Sequence, residues 1–241
     1  MKKIKTITAV LLMVLLAFNV NAQVKKKPIK KKPTAVSKIN TLKPVKLPGT
    51  RVKITTDSGI VIVRLYDSTP LHRDNFVKLI NEGFYDGLLF HRIIKNFMIQ
   101  GGDPMSKNAA PDQALGMGGG DMERIPAEFR TTLFHKKGAL AAARDGNPEK
   151  ASSACQFYIV QGKKYTDDEL NGIETNSGIK FSAAKRSIYK TIGGTPFLDM
   201  NYTVFGEVEK GLNVIDKIAS VPIRPGDRPI GDVHMKMEIV K

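Results

Sequence analysis

Phe90-His91-Arg92-Ile93-Ile94-Lys95-Asn96-Phe97-Met98-Ile99-Gln100-Gly101-Gly102-Asp103 is the stretch on which the rest of the chain turns. Leu88–Ile94 and Met98–Gln100 have the apolar, branched character of short strands. Side chains alternate across a strand, so Arg92 points to the opposite side from His91 and Ile93. If that side is covered, a fixed guanidinium needs partners there. Gln100 supplies one, and Phe97 and Met98 supply apolar wall. A rigid five-donor cation beside an aromatic ring and a thioether makes a mostly apolar pocket with one aimed set of hydrogen-bond donors. Taken alone, the stretch fits an arginine exposed on a strand better than a pocket.

Working outward, Val52 and Ile54, then Ile60, Ile62 and Arg64, alternate around the turn signal Asp57-Ser58-Gly59 and predict a β-hairpin. Ser68 or Thr69 caps a helix with Pro70 in its first turn, and Phe76, Leu79 and Ile80 form its apolar stripe up to Gly83. Gly101–Gly120 reads as loop. Gly138–Ala143, Gln156–Val160 and Thr203–Val208 read as strands, Leu212, Ile215 and Ile218 space as a short helix after Gly211, and Val233–Val240 ends as an alternating strand. Many short strands with two short helices predict a mainly β fold, an antiparallel sheet that closes or stacks. Residues 163–194 break the rhythm: polar, lysine-rich and longer than ordinary connections, they predict a partly helical insertion, either a lid or surface decoration.

The chain has 241 residues, 38 basic against 23 acidic, and a formal charge of +15. Residues 1–50 hold twelve of the lysines and no acidic residue, which leaves 26 basic against 23 acidic residues afterwards. The basic excess therefore belongs to the front of the chain, and the fold itself is not expected to bind nucleic acid. Lys2, Lys3 and Lys5 precede an uncharged apolar run from Ile7 to Val20, and Val20-Asn21-Ala22 offers small residues at a cut before Gln23. Residues 1–22 thus predict a signal peptide, and with it an exported protein, periplasmic in the first instance and secreted in the second. Residues 23–49, rich in lysine and proline, predict an extended linker, with residues 25–46 a weak tether to anionic surfaces. Residues 50–241 form the folded domain, expected to act as a monomer.

One cysteine excludes an internal disulfide and a cysteine-built zinc cluster, and the four histidines show no HxH or HExxH spacing, so no metal or cofactor is expected. Cys155, between small and apolar neighbours, reads as a packed thiol rather than a hydrolase nucleophile. Gly116-Met117-Gly118-Gly119-Gly120 lacks the Lys-Ser/Thr of a phosphate loop and reads as a permissive turn.

The stretch from Phe90 to Asp103 resembles the signature of the cyclophilins, the peptidyl-prolyl cis-trans isomerases, and further blocks follow the family's order. These are Asn75-Phe76, Gly83-Phe84-Tyr85-Asp86-Gly87, Gly116–Gly120, Ile125-Pro126-Ala127-Glu128-Phe129, Gly138–Ala143, Ser153–Ile159 and Val204–Val208. The resemblance implies a closed eight-stranded antiparallel barrel capped by two α-helices, with a groove on its outer face for proline-containing segments of unfolded or exported proteins. It implies that Arg92 is catalytic, that Phe97, Met98 and Leu198 form the proline pocket, that Gln100 bonds the substrate backbone, and that Ala143 and Gln156 line the groove. Four positions depart from the family's common pattern. Arg144 stands for an asparagine, Tyr158 for a phenylalanine, Phe197 for the tryptophan used in cyclosporin binding, and Tyr202 for a histidine; all four belong to the expected substrate site. Arg144, Phe197 and Tyr202 motivate an alternative, a peptide-binding or chaperone module that kept the groove and lost turnover.

Overall fold

The structure, a computed structural model, describes residues 49–240; the expected signal peptide and all but the last residue of the expected linker lie outside the described residues. β1 (Arg51–Thr56) turns at Asp57-Ser58 into β2 (Gly59–Leu65), antiparallel, with Val52 opposite Val63 and Ile54 opposite Val61. Directly opposed residues share a face, so Val52 and Ile54 take Val63 and Val61 inward with them. The predicted hairpin is present, and the core residues of β2 are Val61, Val63 and Leu65, while Ile60 is half exposed and Arg64 pairs with Glu207.

Six further strands follow: β3 (Arg92–Ile94), β4 (Met98–Gly101), β5 (Ala139–Ala142), β6 (Phe157–Val160), β7 (Val204–Lys210) and β8 (Met235–Val240). All eight lie in one antiparallel sheet in the order β3-β4-β6-β5-β7-β2-β1-β8, curled into a half-barrel. The closed barrel expected from sequence is corrected here. β3 and β8 form no ladder; the chain ahead of each meets at one bridge, Leu89 with His234, flanked by Phe90 N–H to Val233 O at 2.9 Å and Met235 N–H to Leu88 O at 2.8 Å. The reason lies at the free edge of β3, where Ile93 N–H donates to Asp227 O at 2.8 Å. The loop around Asp227 occupies the edge that a closing strand would need.

The described residues hold four α-helices: α1 (Pro70–Asn81), α2 (Asp167–Ser177), α3 (Ala183–Thr191) and α4 (Leu212–Ile218). α1 and α4 are the two that cover the sheet's inner face, bringing Phe76, Leu79, Ile80, Val214, Ile215 and Ile218 into the core with Val63, Leu140, Phe157 and Ile159. α2 and α3 make up the insertion, whose ends are pinned together by reciprocal backbone bonds between Lys163 and Gly194 at 3.2 and 2.9 Å. Thr166 and Glu169 cap α2 reciprocally, and Tyr165, Leu170, Phe181 and Tyr189 form a core of the insertion's own against Phe134.

Of the two expected caps, Thr69 takes the N-cap position ahead of Pro70, but its hydroxyl makes no capping bond. The side chain of Glu128, far away in sequence, accepts from Leu71 N–H at 3.2 Å and His72 N–H at 3.0 Å, and so places a negative charge at the positive end of the helix. The same carboxylate lies 2.8 Å from His72 Nδ1, whose Nε2 is 2.9 Å from Ser152 Oγ. All three residues are buried, so each partner lost leaves a polar group without water. Glu128→Ala is expected to lower unfolding free energy by roughly 2–3 kcal/mol, measured by urea denaturation; a change below about 0.5 kcal/mol, the scale of an ordinary surface substitution, would contradict this capping role.

Candidate functional site

The central strands are apolar on both sides. On β4, β5 and β6, Ile99, Leu140, Ala142, Phe157 and Ile159 face the inner core, while Met98, Ala139, Ala141, Tyr158 and Val160 form a second cluster on the outer face. Arg92 belongs to the outer side. It sits opposite Gln100, Gln100 opposite Tyr158, Tyr158 opposite Ala141, and Ala141 opposite Val204. Opposed side chains stand about 5 Å apart from strand to strand, so one cross-strand row carries the guanidinium, an amide and an aromatic ring side by side.

The apolar part of the outer face is closed by Phe97, Leu198 and Tyr202, packed on Met98, Ala143 and Tyr158. Phe197, 44% exposed, stacks at the rim on Phe97 with ring centres 5.7 Å apart. Tyr202 meets Tyr158 edge-on at 5.9 Å. Leu198 and Phe197 are held in a short 3-10 turn, Pro196–Leu198. The residues expected in the pocket thus gather in one cluster on the outer face, the face to which Arg92 belongs.

The polar part is a directional hydrogen-bond chain. Arg92 Nη1 donates to Gln100 Oε1 at 3.4 Å, Gln100 Nε2 to Gln156 Oε1 at 3.0 Å, and Gln156 Nε2 to the carbonyls of Gly116 and Gly118 at 3.0 and 2.9 Å. The chain orients both amides. The glycine loop must come close to do this: a side chain on Gly118 would collide with Asp103, and one on Gly119, at φ 79°, with Cys155. Between this loop and Ala143-Arg144-Asp145 runs a cleft of about 380 Å³ that also touches Gln100 and Gln156. Residues 163–194 contribute none of its lining.

Arg144 does not project into the groove as a free charge. Its guanidinium lies 4.7 Å from the centre of the Tyr202 ring, with Nε donating to Asn201 O and Nη1 to Asp145 O, both at 2.9 Å. The hydroxyl of Tyr158, which required a partner, has His135 Nε2 at 2.9 Å. Neither this histidine nor its own partner Asp199 is marked by any motif spacing, and sequence reasoning missed both. It also missed Asp227, whose carboxylate is 3.4 Å from Arg92 Nε. Arg224-Pro225-Gly226-Asp227 signals a turn, but nothing in its composition says where the turn lands. Arg92 makes one side-chain hydrogen bond and one ion pair, both long, among the described residues, and its side chain is 43% exposed. Its charge is positioned but not neutralised.

A profile of the family described as cyclophilin type peptidyl-prolyl cis-trans isomerase/CLD matches residues 51–239. This chain is a cyclophilin-type isomerase. It is 36% identical to a Staphylococcus aureus (strain COL) protein provisionally named peptidyl-prolyl cis-trans isomerase, over 76% of this chain and 87% of that one. It is 39% identical to a longer Streptococcus pyogenes serotype M6 protein provisionally named bifunctional phosphatase/peptidyl-prolyl cis-trans isomerase, over 77% of this chain and 37% of that one. The fold also superposes on a Cryptosporidium parvum cyclophilin-type isomerase crystallised in the presence of the dipeptide Ala-Pro. There the TM-score is 0.59 at 23% identity, over 79% of this chain and 99% of that one.

His91, the neighbour of Arg92, is buried, with its ring close to Gly116 of the glycine loop. Burial, reinforced by the adjacent Arg92 charge, pushes its pKa down to about 4. The unfolded chain takes up a proton near the ordinary histidine value of about 6.5 while the folded one stays neutral. Stability is therefore fully present above about pH 6.5 and is lost as pH falls toward 4. Between pH 7 and pH 4.5 the parent should lose about 2–3 kcal/mol more unfolding free energy than His91→Gln. Parallel denaturation curves at the two pH values check this; an equal loss in both proteins would place the sensitivity elsewhere.

Proposed function

We propose that this cyclophilin rotates X-Pro peptide bonds at the outer face of β3, β4 and β6, on proline-containing segments of exported proteins. Rotation meets a barrier of about 18–20 kcal/mol because the amide is resonance-stabilised. Uncatalysed, it takes tens to hundreds of seconds. No bond is broken, so the reaction asks for differential binding of the twisted state. In that state the proline nitrogen regains a lone pair and accepts a hydrogen bond. A guanidinium beside it is worth more there than against either planar form, and arginine acts as donor and charge rather than as an acid.

The observation that carries this reading is the cross-strand row that puts Arg92 next to Gln100 and Tyr158. Phe97, Met98, Tyr158 and Leu198 grip the proline ring and exclude water, Gln100 takes the substrate backbone, and Ala143, Arg144 and Gln156 border the cleft through which the chain before proline runs. Phe197 and Tyr202 supply the rim. The dipeptide Ala-Pro present with the Cryptosporidium parvum relative supports proline peptides as the substrate class. Arg144, Phe197 and Tyr202, which raised the alternative of a module without turnover, are packed on Tyr202, Phe97 and Tyr158 respectively. Export rests on residues 1–22 alone, and we place the protein in the periplasm or outside the cell on that ground.

A rate gain of roughly five decades requires about 7 kcal/mol from these contacts together. Arg92→Ala should lower turnover of a proline-containing peptide by roughly 10²- to 10³-fold, with the far-ultraviolet circular dichroism spectrum preserved. Arg92→Lys should not restore it, because the planar fork is lost. A protease-coupled isomerisation assay decides; equal turnover by parent and Arg92→Ala would refute the mechanism.

A further inference from the structure

Behind the apolar pocket lies a line of buried polar groups that isomerisation does not use directly. Tyr158 presents its ring to the pocket cluster and its hydroxyl inward, 2.9 Å from Nε2 of His135. The backbone N–H and the Nδ1 of His135 are both 2.9 Å from Oδ1 of Asp199. The hydroxyl of Tyr189, on α3 of the insertion, donates to the other carboxylate oxygen of Asp199 at 2.8 Å. Lys185, also on α3, lies 3.8 Å from that oxygen. His135, Asp199 and Tyr189 are at most 1% exposed.

Chemistry sets the direction of every proton. A carboxylate only accepts, so Nδ1 of His135 carries hydrogen; with the imidazole neutral, Nε2 accepts and the Tyr158 hydroxyl donates. Burial raises the pKa of both tyrosines, which stay protonated. The pocket is therefore spared a free hydroxyl donor. The same histidine also holds the opposite wall: its carbonyl accepts from Thr195 N–H at 2.8 Å, at the head of the turn that carries Phe197 and Leu198, and Asp199 ends that turn. Two walls of the pocket, one on β6 and one on the turn, are joined through His135, and the join is anchored by Tyr189.

We propose that the insertion braces the proline pocket, with Tyr189, Asp199 and His135 as positioning residues that hold Tyr158 and the Phe197-Leu198 turn in register, so that docking of α3 sets how tightly the proline ring is gripped. The proposal rests on the isomerase reading for its kinetic arm. Tyr189→Phe deletes the anchoring hydroxyl but keeps the ring packed against Phe134, Tyr165 and Phe181, so the insertion retains its core.

On the full chain, Tyr189→Phe should raise KM for a proline peptide by roughly 3- to 10-fold with kcat within about twofold. In a Tyr158→Phe background, where the link to β6 is already cut and only the link to the turn remains, the same change should raise KM by a clearly smaller factor. An unchanged KM in the single variant, or the same fold-change in both backgrounds, would overturn the brace and leave only a packing role. A second measurement needs neither the Tyr189 variant nor turnover. Titrating Ala-Pro into the parent protein should shift the backbone amide NMR signals of α3 around Tyr189, because coupling between sites is reciprocal, and the shifts should shrink in Tyr158→Phe, where only the path through the turn is left. Silent α3 signals on saturation of the pocket would overturn the proposal. Loss of all turnover in the parent would instead count against the isomerase reading, with the titration still deciding the brace.

Discussion

Strands buried on both faces impose the arrangement from which the site follows. Period-2 alternation commits Ile99, Leu140, Phe157 and Ile159 to the inner core, and their neighbours Met98, Ala141, Tyr158 and Val160 must then face out. An apolar outer face of that size has to be covered or used. Here it is partly covered, by Phe97, Leu198 and Tyr202, and what is left beside Arg92 is a slot with an apolar floor. The small residues Ala139, Ala141 and Ala143 leave room for it, while the bulk of Leu140 on the same strand fills the inner side. The site is thus a by-product of how one sheet divides its side chains between two clusters.

Polar groups are distributed in keeping with this division. Two buried sets are closed into short bonds: Glu128 with His72 and the start of α1, and Asp199 with His135 and Tyr189. An unpaired buried hydroxyl would cost roughly 1–3 kcal/mol, which is why the phenolic oxygen of Tyr158 is turned to a histidine and not toward the pocket. Arg92 is the contrast. Its contacts with Gln100 and Asp227 are 3.4 Å each at a half-exposed position, a pairing that stabilises the ground state by no more than about 1 kcal/mol. A donor little engaged before the reaction is one whose strength is available in the twisted state.

The positions of the elements were legible in the sequence because each is short and bounded by a turn residue. Asp57-Ser58-Gly59, Pro70, Gly138 and Gly211 mark boundaries that the structure keeps within a residue or two. The insertion was legible as an interruption, and its helices follow from Thr166-Asp167-Asp168-Glu169 and from Ser182. Less was legible where two distant segments compete for the same partner. The side of β2 that faces in depends on its register with β1, and the open edge of β3 depends on a loop more than a hundred residues downstream. Asp227, His135 and Asp199 carry no signal, because a hydrogen bond across a fold leaves no periodicity in either segment.

Sequence alone determined which residues are chemically able to stabilise a twisted prolyl bond, since a planar cation, an amide and bulky apolar side chains within one short hairpin are properties of composition and spacing. It also determined the strand content, because local alternation and turn chemistry act over a few residues. Tertiary structure alone decided that the half-barrel stays open beside β3, that a glutamate fifty-odd residues away caps α1, and that the insertion reaches the pocket floor through His135. These are long-range pairings of buried polar groups and strand edges, and the free energy that selects them exists only once burial has removed water as the competing partner.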